Sequence, residues 1–98
     1  MNSYMIDVDL AERLDEEFFR LIPYQRNYIR RMMKKGVISN YSFSNDRGKL
    51  WVIVHAGSLT EVKHIIGSFP IFNYMRFQIH YLLFHETNDA LKPQLWLN

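Results

Sequence analysis

The chain has 98 residues, 48% of them hydrophobic and 15% aromatic, with no cysteine and a formal net charge of +2. That length makes one domain with a core of its own, and so much apolar and aromatic content excludes a disordered chain. The absence of cysteine excludes disulfides, thiol catalysis and cysteine-ligated zinc and fits a reducing compartment, while so small a charge argues against nucleic acid as a partner.

The opening "MNSYMIDVDL" carries acidic residues where a secretory signal needs basic ones, and no stretch approaches the ~20 apolar residues of a membrane span. The expectation is a soluble, cytoplasmic protein with no membrane partner. Residues 4–10 alternate Ile6, Val8 and Leu10 with Met5, Asp7 and Asp9, the period of a half-buried strand. The period then changes: Leu14, Phe18, Leu21 and Ile22, followed by Ile29, Met32 and Met33, fall at helical spacing. Pro23 lacks a backbone donor, so a kink or a new helix is expected there, and Gly36 reads as the C-terminal stop. Residues 37–44 and 49–56 flank "NDRG" and predict an antiparallel hairpin. Ser58 and Glu61 have the spacing of a capping box, opening a helix with Leu59, Val62, Ile65 and Ile66 that stops near Gly67. "RFQIHYLLF" is the last strand, and residues 1–86 form the domain. Residues 87–98 form a tail in which Trp96 lies between Leu95 and Leu97, a pattern that suits docking on a partner subunit.

Strand, helix, strand, strand, helix, strand is the ferredoxin-like α+β order, a four-stranded antiparallel sheet with both helices on one face. Closing the hairpin through "NDRG" pairs Phe43 with Leu50, Tyr41 with Val52 and Ser39 with Val54, and gathers Ile38, Asn40, Ser42, Trp51, Ile53 and His55 on the opposite, open face. Asp7 and Asp9 of the first strand and Arg76, Gln78 and His80 of the last join them. Apolar Trp51 and Ile53 among such polar groups suit the wall of a small-molecule cavity, although polar residues on an open sheet face are often simply solvated. A one-residue slip would exchange the two faces. The four histidines show no metal-binding spacing, so no metal is expected. The basic run Arg26, Arg30, Arg31, Lys34 and Lys35 ends a helix that begins with Glu12, Asp15, Glu16 and Glu17, which complements the helix dipole and again gives no reason to invoke nucleic acid.

"FPIFNYM", followed by "RFQIHYLLF", resembles the Leu-Pro-Leu-(Phe/Tyr)-Pro-Tyr-Met segment of muconolactone delta-isomerases and their uncharacterised relatives. Asn73 stands where that motif has its second proline. The resemblance runs back through "LIPYQRNYIRRMMKKGVI" and the hairpin, over roughly residues 14–86, and "LIPYQR" is closer to the uncharacterised relatives. It implies a dimeric α+β barrel, a homodimer or a higher homo-oligomer, in which two open faces enclose a cavity. It also implies a 1,3-proton shift that moves a double bond in a small carboxylated lactone, with no cofactor, as part of aromatic compound catabolism.

Such chemistry needs a general base, donors to the developing enolate oxygen and a cation for the carboxylate. Face and chemistry together nominate Asp7 as base, strengthened by a partly apolar cavity, with His80 sharing or relaying the proton. Asn40 and Ser42 are candidate donors, Arg76 or Arg26 the carboxylate cation, and Trp51 and Gln78 lining residues. Arg26 falls where the isomerases carry another basic residue. Two alternatives stay open. One is another enzyme of this fold: a cofactor-independent monooxygenase, a cyclase, or a haem-degrading enzyme using His80 or His55. The other is a non-catalytic protein that binds a small ligand or serves assembly.

Overall fold

In the computed structural model, which describes residues 1–88, six main elements follow in the order β1 (Asn2–Leu10), α1 (Glu16–Lys34), β2 (Ile38–Phe43), β3 (Lys49–Ala56), α2 (Leu59–Gly67) and β4 (Met75–Tyr81), the last preceded by a short 3-10 turn at Phe72–Tyr74. The strands form one antiparallel sheet in the order β2-β3-β1-β4. The fold is therefore ferredoxin-like, as the element order implies.

Both helices pack on the same face of the sheet. Tyr4, Ile6, Val8 and Leu10 of β1 and Leu50, Val52, Val54 and Ala56 of β3 are buried there against Phe18, Tyr28 and Ile29 of α1 and Val62, Ile65 and Ile66 of α2. Each Val, Leu, Ile or Phe among them contributes about 1.5–3 kcal/mol by leaving water. Two polar groups tie the layers. Tyr28 Oη donates to the Ile65 carbonyl at 2.8 Å, joining α1 to α2. Gln25, only 1% exposed, reaches Tyr41 Oη and the Ile71 N–H, each at 3.4 Å.

Local chemistry fixes the ends. Asp15 caps α1 by accepting from the Phe18 N–H at 2.9 Å. At the other end Gly36 takes φ +75°, and Gly36 N and Val37 N return to the carbonyls of Met33 and Met32, a Schellman stop. Ser58 caps α2 through the Glu61 N–H, while the Glu61 carboxylate reaches back to the Gly57 N–H, one residue before the cap.

Three details depart from the sequence reading. Of the kink or new helix expected at Pro23, the new helix does not occur: Pro23 lies inside one 19-residue helix on its exposed side, so the Phe19 carbonyl that loses its helical donor is left where water can serve it. In β2 the register shifts between Ile38 and Asn40: Ile38, not Ser39, pairs with Val54, and Ile38 is buried in the core rather than placed on the open face. A β-bulge at Ser39 inserts one extra residue, which restores the pairing Tyr41–Val52 and Phe43–Leu50 further along. Strand β4 ends at Tyr81, so Leu83 lies beyond the sheet and is exposed. The tail assigned to residues 87–98 falls mostly outside the described residues.

Candidate functional site

The registers of the four strands turn the open face into rows. At one end Lys49 of β3, Asp9 of β1 and Arg76 of β4 stand side by side. The next row is Ser42, Trp51, Asp7 and Gln78, and the one after it Asn40, Ile53, Met5 and His80. Directly paired residues stand ~4.5–5.5 Å apart between Cα atoms, and diagonal neighbours ~7–8 Å. Asp7 therefore has Trp51 on one side and Gln78 on the other, with His80 on the diagonal.

Asp7 also has a partner that face and motif did not single out. Lys49 Nζ lies 2.6 Å from Asp7 Oδ1 and 2.8 Å from Asp9 Oδ1, and its ring-facing contact with Trp51 is 6.0 Å to the centroid. Asp7 Oδ1 is shielded from solvent, and among the described residues the Lys49 ammonium is the group that holds it. Hydrogen bonds to Asp7 and Asp9 push the Lys49 pKa upward and keep it cationic. The signal was present in the alternation, since Lys49 precedes Trp51 by two residues and must share its face.

The remaining nominated residues are spread out. Asn40 and His80 occupy opposite edge strands, three strand spacings or about 14 Å apart, too far to act together on one small carbon acid within a single chain. Ser42 sits beyond Trp51, and Arg76 stands beside Asp9, exposed. Arg26 is exposed on α1, in the helical layer across the sheet from Asp7.

The chain beyond β4 covers one end of this face. Leu82 N donates to the Ser3 carbonyl, and His85 Nε2 lies 3.2 Å from Asn40 Oδ1 on the far edge strand. Ile53, cross-strand neighbour of Asn40, is only 2% exposed, an apolar residue buried outside the main core. Beside it, His55 is bonded at both ring nitrogens, to Ser3 Oγ at 2.9 Å and Ser39 Oγ at 2.8 Å. Burial lowers its pKa, and the charge of His85 adds to this. Asn40 Oδ1 is occupied by the Ser39 hydroxyl and His85, which leaves its NH2 group as a donor. The other end of the face, around Asp7, Lys49 and Trp51, is a wall that the described residues do not enclose.

Among the described residues no helix is long and apolar enough to cross a membrane, and no group of three or more His, Cys, Asp or Glu side chains is arranged to hold a metal.

Comparison with curated proteins finds none that matches. The family model described as muconolactone delta-isomerase matches residues 3–88, a span that holds all six elements except the first residue of β1, with the Asp7 row and the segment after β4. The chain belongs to the muconolactone delta-isomerase family.

Proposed function

We propose that this chain is a cofactor-independent isomerase, moving a double bond by proton transfer within a small carboxylated unsaturated lactone or a similar molecule on the open sheet face. One observation supports this reading above the rest: a carboxylate and a protonated amine, Asp7 and Lys49, meet beside the apolar ring of Trp51. A base, a cation and an apolar platform are what an allylic proton shift requires.

In this reading Asp7 takes a proton from the carbon beside the conjugated system. The electrons of that C–H bond enter the system as a dienolate, and the proton returns to the far carbon, so the double bond moves and no atom is gained or lost. Lys49 suits the developing enolate oxygen or the substrate carboxylate better than Arg26, because it already lies against the base. Gln78, the other cross-strand neighbour of Asp7, offers a neutral amide donor. His80 stands at the diagonal position, where a relay would act through a water or through the substrate. Arg76, the cross-strand neighbour of Asp9, offers a guanidinium to a carboxylate extending past it. Water must be excluded for these charges to act strongly, and we assign that cover to the open face of a second copy.

The ion triplet Asp7–Lys49–Asp9 favours one rival, in which these groups only satisfy one another on a binding or assembly surface. Turnover of muconolactone in D2O separates the two, with double-bond migration followed by ultraviolet absorbance and deuterium uptake by NMR. Wild type should isomerise the lactone, and Asp7→Asn should lose at least ~100-fold in kcat with its fold intact. Unchanged turnover in Asp7→Asn would remove Asp7 as the base. A wild type inert on muconolactone and on related unsaturated lactones would favour the rival.

A further inference from the structure

We propose that the pocket between the first half of α1 and the β2–β3 turn is a second ligand site, holding the apolar body of an amphipathic carboxylate while Arg47 binds its anionic head. The pocket measures about 430 Å3, within the ~300–1,000 Å3 range of small-molecule sites. Phe18 lies at its base, and Phe19, Ile22 and Phe43 form its walls. Phe19 is 48% exposed and Phe43 40%, so apolar rings face solvent across a concave gap.

Among the described residues Arg47 is the one charged side chain on this lining. Among the described residues its side chain has neither an ion pair nor a hydrogen bond. Its backbone sits at φ 66°, the left-handed region that favours glycine or asparagine. The turn is locked without help from the Arg47 side chain. Asp46 Oδ1 accepts from Ser44 Oγ at 2.7 Å and from the Gly48 N–H at 2.9 Å, and Ser44 Oγ accepts from the Lys49 N–H at 2.9 Å. These bonds lower the Asp46 pKa and turn its Oδ1 into the turn, and among the described residues no ion pair joins it to Arg47. A cation that the turn geometry disfavours, left unpaired at the mouth of an apolar pocket, calls for a ligand with the opposite charge.

The ligand class follows from both sides of Arg47. An adjoining cavity of about 400 Å3, which Arg47 also lines, carries Glu12 and Asp46, so it suits an apolar body less than the side walled by Phe19, Ile22 and Phe43. One guanidinium fork matches one carboxylate in a two-pronged contact, whereas a phosphate dianion would call for more positive charge than this rim supplies. The site lies on the helical side of the sheet, away from Asp7 and Trp51, and does not depend on the isomerase reading.

Octanoate and its neutral analogue octanamide are suitable probes, titrated into the full chain and followed by calorimetry and backbone NMR. Octanoate should bind at least ~10-fold more tightly than octanamide and shift resonances of residues 18–22 and 43–47 while leaving Asp7 and Trp51 in place. Arg47→Gln should erase the preference for the carboxylate. Arg47→Gly should bind octanoate no better than octanamide and melt no lower than wild type, because glycine accepts this φ. Equal affinity for the two probes, an undiminished preference in Arg47→Gln, or shifts confined to the open face would each overturn the proposal.

Discussion

His55 shows how a single side chain on this sheet couples stability to pH. Both its nitrogens are engaged by serine hydroxyls, and burial followed by the charge of His85 lowers its pKa below the ordinary histidine value. Lys34 of α1 lines the same pocket and adds positive charge from the helical side. With the folded pKa depressed, the unfolded chain binds the proton more readily, so this contribution is complete above about pH 6.5 and is lost as pH falls through the folded value. Urea midpoints should therefore drop between pH ~7.5 and ~5.5 in wild type and change less in His55→Gln. Asp15 and Asp46, whose pKa values are lowered by hydrogen bonds, act in a lower window, below about pH 4, and do not confuse the measurement. An equal slope in His55→Gln would mean that the imidazole is as easily charged in the fold as out of it.

At the scale of elements, the end of α1 tests whether its stop is conformational or a matter of packing. Gly36 sits at φ +75° with no heavy atom within 4 Å of where a Cβ would stand, so Gly36→Ala meets no clash and pays only for the left-handed backbone. Chemical denaturation should show a loss of about 1–2 kcal/mol. A neutral result would mean that the helix end can rearrange. This stop was legible in the sequence, because a glycine after a basic last turn has few other uses. The same holds for the Ser58 cap and for the pairing of Phe43 with Leu50, since period and turn chemistry are local signals. The Ser39 bulge was not legible: an inserted residue leaves no mark in the pattern, yet it moved Ile38 from the open face to the core. The unbroken run through Pro23 was hidden for a related reason, because whether a missing hydrogen bond breaks a helix depends on which side meets solvent. At the candidate site the face of Asp7, Trp51, Gln78 and His80 was readable from alternation. The spacing of Asn40 from His80 depends on strand order, and the grip of Lys49 on Asp7 depends on side-chain conformation, so neither could be read from composition.

For the whole molecule, the exposed face of the sheet calls for cover. Four strands at ~4.8 Å spacing and ~7 residues of ~3.3 Å each give a face of roughly 19 by 23 Å, or about 440 Å2 in projection. Two such faces together supply about 900 Å2, short of the ~1,200 Å2 at which stable interfaces begin, although side-chain relief raises the accessible area above the projection. The crossing segment already occupies the Ser3–Asn40 end of the face, so in a face-to-face dimer it becomes part of the contact. The remaining area has an obvious source in sequence, the Leu95, Trp96 and Leu97 cluster of the tail, which lies outside the described residues. We therefore expect the open faces of two copies to pair and the tails to add to the contact. Sedimentation equilibrium at about 10 µM should give a dimer or a multiple of it for wild type. Trp51→Glu, which buries a carboxylate at the centre of the proposed contact, should weaken association at least ~10-fold, and a chain ending at Asn88 should weaken it less. Tight dimers of Trp51→Glu would place the interface elsewhere and leave the Asp7 row open to water, a setting in which the proposed proton shift would have no enclosed cavity.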